Sequence, residues 1–296
     1  MTIKLVTDST CDLPTTMLQD LQVTVVPINI QFGTATYKEN LTITSVDFYA
    51  KINEEGQLPK TSQPSVGDFV EVYQQLSLET DHIVSIHLTS KLSGTFQSAK
   101  LAASMVADIV KVTVIDSLAG SAGLGWMVHE AVMLIKKGYM PQEIEAILAS
   151  KRSQISIYFA VDTLEYAQLS GRVGKLSSVL GTLLNIKPII GLDNGLIDVR
   201  DKVRSKRAAT DRIVELTQEK VGQQPIHLAV VHAQAVARAE QLMTMATEQF
   251  NCKASYLKDV ALSLAVHFGP GTVGLVAYPV QDVDELPVPN SSSEGV

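Results

Sequence analysis

Apolar residues along this chain recur in short blocks, and polar, glycine-containing segments separate them. The block "IKLVTDS" (3–9) reads as a short buried strand that ends in polar residues. "LQVTVVPINIQF" (21–32) is rich in β-branched residues and partly alternates, which also fits strands. "TSVDFYAKINEE" (44–55) predicts a helix, with Thr44 or Ser45 as N-cap and Asp47 in its first turn. In "TSQPSVGDFVEVYQQL" (61–76), Pro64 disfavours a helical Gln63. That segment begins extended, and its helix starts at Ser65 with Asp68 three residues on. A strand at 82–88, a helix after Ser93, a strand at 110–117 and a helix at 123–138 ended by Gly138 follow. Alternating strand and helix predict a parallel sheet with helices on both faces. Ligands of such sheets bind where loops leave the carboxyl ends of strands.

The pattern changes around residue 150. "ISIYFAVDT" (155–163) reads as a strand, and "LSGRVGKLSSVLGTLLN" (169–185) as a loop followed by a helix. "IKPIIGLDNGLIDVRDKV" (186–203) predicts a β-hairpin turning at Asp193-Asn194-Gly195. Helices at 205–219, 234–248 and 260–266 then alternate with strands at 226–232, 254–258 and 272–278. Hairpin and crossover elements together predict an α+β unit. The expected architecture is therefore α/β, with an N-terminal parallel-sheet α/β domain over 1–150 and a C-terminal α+β domain over 151–280. The polar remainder, 281–296, reads as a flexible tail.

Composition narrows the function classes. Of the 296 residues, 46% are hydrophobic and 19% charged, enough apolar material for a substantial core. A net charge of −7 argues against nucleic acid as the main partner, because phosphate binding wants a basic face. No apolar run reaches the roughly 18 residues of a membrane span. "MTIKLVTDST" runs almost directly into a strand pattern without signal-peptide features. Cys11 and Cys252 stand far apart and make neither a disulfide framework nor a metal cluster. The expectation is a cytoplasmic protein with reduced thiols, monomeric, with no metal and no cofactor.

Candidate chemistry lies in polar segments at strand ends and helix starts: "TDSTCDLP" (7–14), "TSQPS" (61–65), "TSKLSGTFQSA" (89–99) and "HFGPGTVG" (267–274). Ser93 sits where an N-cap is expected, and Gly94 allows close approach to the backbone. The first N–H groups of a helix lack internal partners and favour an anion. Plain capping is the alternative for Ser93, and turn-backbone bonding the alternative for Thr61 and Ser62. Ser65 reads as a cap. His267 precedes a tight "FGPG" turn and bonds either a ligand or its own loop. Asp8 and Asp116, at strand ends, suit acid–base work or the bonding of loop amides. No phosphate-binding loop and no zinc-protease spacing is present. "LSGTFQS" is not a nucleophile elbow, because the leading Gly is missing.

Taken together, "IKLVTDSTCDLP", "KTSQPS", "LSGTFQSA", "GRVGK…IKPII" and "HFGPGTVG" resemble the DegV family of bacterial fatty-acid-binding proteins, from residue 3 to about 278. The resemblance implies two domains with a long-chain fatty acid in an apolar tunnel at their interface. It implies a carboxylate held by Thr61, Ser93 and Gly94, with His267 nearby and Ser62 as a further contact. It also implies a partner, the catalytic subunit of a fatty acid kinase, which forms an acyl phosphate for phospholipid synthesis. The carrier itself then does no chemistry and makes at most transient membrane contact. One departure is Ser170-Gly171-Arg172, where many relatives carry Gly-Gly-Arg. Arg172 remains as a ligand-side or partner-side residue.

"RDKVRSKR" (200–207) is a basic cluster in an acidic chain. Arg200, Arg204 and Arg207 read either as a solvated hairpin end or as a kinase docking patch. A competing function is a serine esterase or lipid hydrolase that uses Ser93, His267 and either Asp8 or Asp116. A weaker one is binding of a phosphorylated metabolite, for which only Lys91, Arg172 and Lys175 are close cations.

Overall fold

The structure is a computed structural model that describes residues 2–56, 58–172 and 186–280. In chain order its strands are β1 (Ile3–Asp8), β2 (Val23–Val26), β3 (Asn29–Phe32), β4 (Ala35–Lys38), β5 (Lys60–Ser62), β6 (His82–His87), β7 (Lys111–Asp116), β8 (Ser156–Ala160), β9 (Lys187–Asp193), β10 (Leu196–Val203), β11 (Ile226–His232), β12 (Cys252–Asp259) and β13 (Val273–Pro279). They make three sheets. The first, in the order β2-β1-β6-β7, is parallel throughout. The second, β10-β9-β8-β13-β11-β12, is antiparallel except for the β11–β12 pair. The third is a small antiparallel sheet, β4-β3-β5. An α/β half followed by an α+β half matches the class expected from the alternation.

Local chemistry explains the elements that were legible. Thr44 and Ser65 each form a capping box, with Asp47 and Asp68 respectively. The hairpin turns at Asn194 and Gly195, both at positive φ (47° and 78°), as a tight two-residue loop requires. Block 21–32 divides at Pro27: β2 joins the parallel sheet and β3 the small one. Lys60–Ser62, expected as loop, pairs with β3, with Thr61 opposite Ile30. The helix after Ser93 spans Thr95–Met105, and its N-cap position is Gly94 rather than Ser93. The expected helix within 169–185 and the tail 281–296 lie outside the described residues, apart from Leu169–Arg172.

The helix Ala122–Lys136 joins the two halves. It packs on β1 and β6 on one side and on β11 and β13 on the other. Its Trp126 is 1% exposed and stacks on His227 with ring centroids 4.5 Å apart. A single apolar cluster therefore runs from Leu5 and Ile86 through Trp126 to Phe159 and Tyr278. Two further clusters cover the outer faces. Phe69, Tyr73 and Val106 pack on the parallel sheet, and Ile213 and Leu242 join Leu275 of the six-stranded one. Each fully buried Phe or Ile contributes about 1.5–3 kcal/mol. Among the described residues, no helix is long and apolar enough to cross a membrane.

Candidate functional site

The carboxyl ends of β1 and β6 face the small sheet and the helix Leu262–Phe268. Between them lies a cleft of about 60 Å³, lined by Thr10, Ile28, Thr61, Ser62, Gln63, Leu88, Leu92, Ser93, Arg172, Ile197, Ser263, Leu264, His267 and Phe268. Its polar side chains gather at one end. At the other end Leu88, Leu92, Ile197, Leu264 and Phe268 also line a second cavity of about 40 Å³. That inner cavity runs between the sheets past Ile157, Phe159, Ile190 and Leu192, and its wall is apolar. Phe159 and Phe268 pack there with centroids 4.8 Å apart. The result is a polar-rimmed cleft and an apolar cavity that share one wall.

His267 is on the last turn of a helix, not in the glycine turn that follows it. Its Nε2 lies 3.0 Å from Thr61 Oγ1. Its Nδ1 is buried and has no hydrogen-bond partner. Burial, reinforced by the Arg172 charge, pushes the His267 pKa down to about 4, so the ring is neutral at pH 7. Ser93 Oγ accepts a long bond from Thr95 N (3.3 Å) and pairs with Thr95 Oγ1 at 2.8 Å. No side chain caps this helix in the ordinary way. Arg172 donates from Nη1 to Ser170 O at 2.7 Å while lining the mouth.

Two buried carboxylates anchor the helix that carries His267. Asp12 accepts from Ala261 N (2.7 Å) and from Ser121 Oγ (2.5 Å). Glu39 accepts from Ser263 N (2.9 Å), Ser263 Oγ (2.8 Å) and Ser9 Oγ. Burial raises Asp12 to about 6 and Glu39 to about 7. Both reach from the first half of the chain to the second.

The members of the esterase constellation bond other partners rather than one another. His267 bonds Thr61, Ser93 bonds Thr95, and Asp116 accepts from the amides of Ser90 and Leu118. Asp8 accepts from the amides of Thr10 and Leu88 and lies 3.0 Å from His87 Nδ1. His87 Nε2 in turn meets Ser85 Oγ at 2.7 Å. That Ser-His-Asp chain has the connectivity of a hydrolytic triad. It is 0% exposed at all three residues, so no ester reaches it. Among the described residues, no group of three or more His, Cys, Asp or Glu side chains is placed to hold a metal ion.

A family model described as "Uncharacterised protein, DegV family" matches residues 2–280. The chain belongs to the DegV family. Among DegV relatives, a DegV domain-containing protein of Halalkalibacterium halodurans is 37% identical over 278 residues, which are 93% of this chain and 98% of that one. The structure matches that of a DegV family protein from Thermus thermophilus, described as showing fatty acid binding. That pair has a TM-score of 0.89 and 34% identity, over 95% of this chain and 100% of the other. It also matches DegV of Bacillus subtilis, described as a fatty acid binding protein, with TM-score 0.88, 32% identity and the same coverage.

Against this DegV fold, Thr61, Ser62, Ser93, Arg172 and His267 come together at one mouth. Gly94 adjoins it, but the space over its Cα is taken by the Gln63 side chain. Arg200, Arg204 and Arg207 line neither cavity. Arg200 pairs with Asp193 at 3.1 Å, while Arg204 and Arg207 are exposed. Lys175 lies outside the described residues. Gln63, Thr10 and Ser263 also line the mouth and were missed by sequence reasoning. Gln63 had a signal, since the following Pro64 restricts its backbone. Ser263 had none, because its partner Glu39 is distant in the chain.

Proposed function

We propose that this protein binds a long-chain fatty acid, with the acyl chain in the inner cavity and the carboxylate at the Thr61–Ser93–His267 mouth. The observation that carries this reading is the wall of Leu88, Leu92, Ile197, Leu264 and Phe268 that a hydroxyl-rimmed cleft shares with an apolar cavity. The two DegV relatives described as fatty acid binding support it. In this reading residues 1–150 and 151–280 are the two domains, and the ligand lies between them.

A carboxylate leaving water costs several kcal/mol unless it is paired. Hydroxyl donors offset that cost through charge-assisted hydrogen bonds. Neutral His267 sets their direction. Its Nδ1 is unpartnered, so the tautomer assigned is Nε2–H donating to Thr61 Oγ1. The Thr61 proton is then free to point at the ligand. Ser93 donates in the same way once its bond to Thr95 turns outward. Each methylene buried behind the mouth contributes about 0.8 kcal/mol.

The carrier then presents its carboxylate, in the cytoplasm, to a separate fatty acid kinase. A carboxylate oxygen attacks the terminal phosphorus of a nucleoside triphosphate, the nucleoside diphosphate leaves, and an acyl phosphate for phospholipid synthesis results. Neutral donors suit this step because they hold the attacking oxygen less tightly than a bidentate Arg clamp. The exposed Arg204 and Arg207, with Arg200, form the docking patch, since complementary charge speeds encounter. Mass spectrometry of lipid released by denaturing the purified protein tests the binding step. A stoichiometric long-chain fatty acid is expected. A protein that stays empty after incubation with a fatty acid mixture overturns the reading.

A further inference from the structure

Thr61 and Ser93 belong to different sheets. Thr61 is on β5 of the small sheet, and Ser93 follows β6 of the parallel one. A carboxylate has two oxygens at fixed separation, so donors from two sheets must hold their spacing to about 0.5 Å. Gln63 spans that gap. Its carbonyl oxygen accepts from Asn29 Nδ2 at 3.1 Å, which fastens it to β3. Pro64 keeps its backbone extended and so aims its side chain. The Nε2 donates to Ser98 Oγ at 3.2 Å, in the first turn of the helix Thr95–Met105. Among the described residues, this is the hydrogen bond that ties the β5 segment to that helix. The carboxamide lies flat over Gly94, with Oε1 2.0 Å from where a Cβ at residue 94 would stand.

We propose that Gln63 is a positioning residue for the ligand carboxylate. Its carboxamide clasps the Ser93–Gly94 turn and fixes Ser93 relative to Thr61. Gly94 is glycine because this clasp needs the room, not because the ligand does. Its φ of −79° suits any residue, so steric exclusion by Gln63 is the requirement the residue meets. The inference rests on the fatty-acid reading and deepens it.

The test compares wild type, Gln63→Ala, Gly94→Ala and the double variant, by calorimetric titration with palmitate and with hexadecanol. The three atoms nearest to a Cβ at 94 all belong to the far end of the flexible Gln63 side chain, so alanine there evicts the clasp. Each single variant is expected to weaken palmitate binding about fivefold, the scale of one neutral hydrogen bond. The double variant loses no more than either single one, because both remove the same contact. Hexadecanol presents one oxygen and does not sense the spacing, so its affinity stays within twofold. Gln63→Glu keeps the shape and places a second charge beside the ligand. Its palmitate affinity falls further than that of Gln63→Ala, while hexadecanol binding stays level. Wild-type palmitate affinity in Gln63→Ala overturns the inference, as does an equal loss for palmitate and hexadecanol. Failure of wild type to bind palmitate at all overturns the function reading instead.

Discussion

His267 offers the sharpest quantitative test. Its pKa in the folded protein is about 4, against about 6.5 in an unfolded chain. Above pH 6.5 both states hold the ring neutral and it makes no pH-dependent contribution. As pH falls below 6.5, the unfolded chain takes up a proton that the folded ring refuses until about pH 4. Stability is therefore lost on acidification through that window, at about 1.4 kcal/mol per pH unit. By pH 4.5 the loss is about 2.5 kcal/mol, and it approaches about 3.4 kcal/mol well below pH 4. His267→Gln carries no charge at any pH and removes this component. Glu39 and Asp12, whose pKa values are raised, act in the opposite direction and favour the folded state on acidification. They are common to both proteins and cancel in the comparison. Urea unfolding of wild type and His267→Gln, at steps from pH 7 to pH 4.5, reads the difference directly. The wild-type curve falls more steeply, by about 2.4 kcal/mol across that range. Parallel curves would refute the burial argument for His267.

Three further outcomes follow from the site. Thr61→Val with Ser93→Ala removes both hydroxyl donors, each bond to a charge being worth about 1.5–3 kcal/mol, so retained fatty acid falls at least about tenfold by mass spectrometry. Unchanged lipid content in that double variant counts against the mouth as the carboxylate site. Shortening a saturated ligand by two methylenes weakens binding about 15-fold in a competition assay, from the apolar lining of the inner cavity. Equal affinities for the two chain lengths place the tail outside it. Arg204→Glu with Arg207→Glu slows kinase-dependent acyl phosphate formation and leaves bound lipid unchanged; full turnover sinks the docking patch.

What was legible in the sequence was local. The Ser65–Asp68 capping box lies within one turn, and the Asn194-Gly195 turn joins adjacent strands. Hydroxyl-rich segments at strand ends marked Thr61 and Ser93 as candidates before any geometry. What was not legible depends on distant partners. Three-residue β5 exists because β3 pairs with it, and no period shows in so short a run. His267 belongs to a helix whose first amides are held by Asp12 and Glu39, more than 200 residues earlier. Ser93 missed the N-cap position by one residue, because Gly94 fits beneath Gln63. Clustering of the mouth residues was implied by the family resemblance, not by spacing.

The position of β13 bears on how the molecule is made. This last described strand does not close an edge; it lies between β8 and β11, antiparallel to both, in the interior of the six-stranded sheet. During synthesis β8, β9 and β10 emerge more than 60 residues before it and wait with an unpaired inner flank. The cleft wall from Leu264 to Phe268 emerges just ahead of that strand, so the apolar faces of Leu88 and Leu92 stay open to water until those residues have left the ribosome. Transiently exposed surface of this kind is what chaperones hold. Anything that binds only the finished cleft draws the late intermediates toward the folded state by mass action, so occupancy and folding yield are linked.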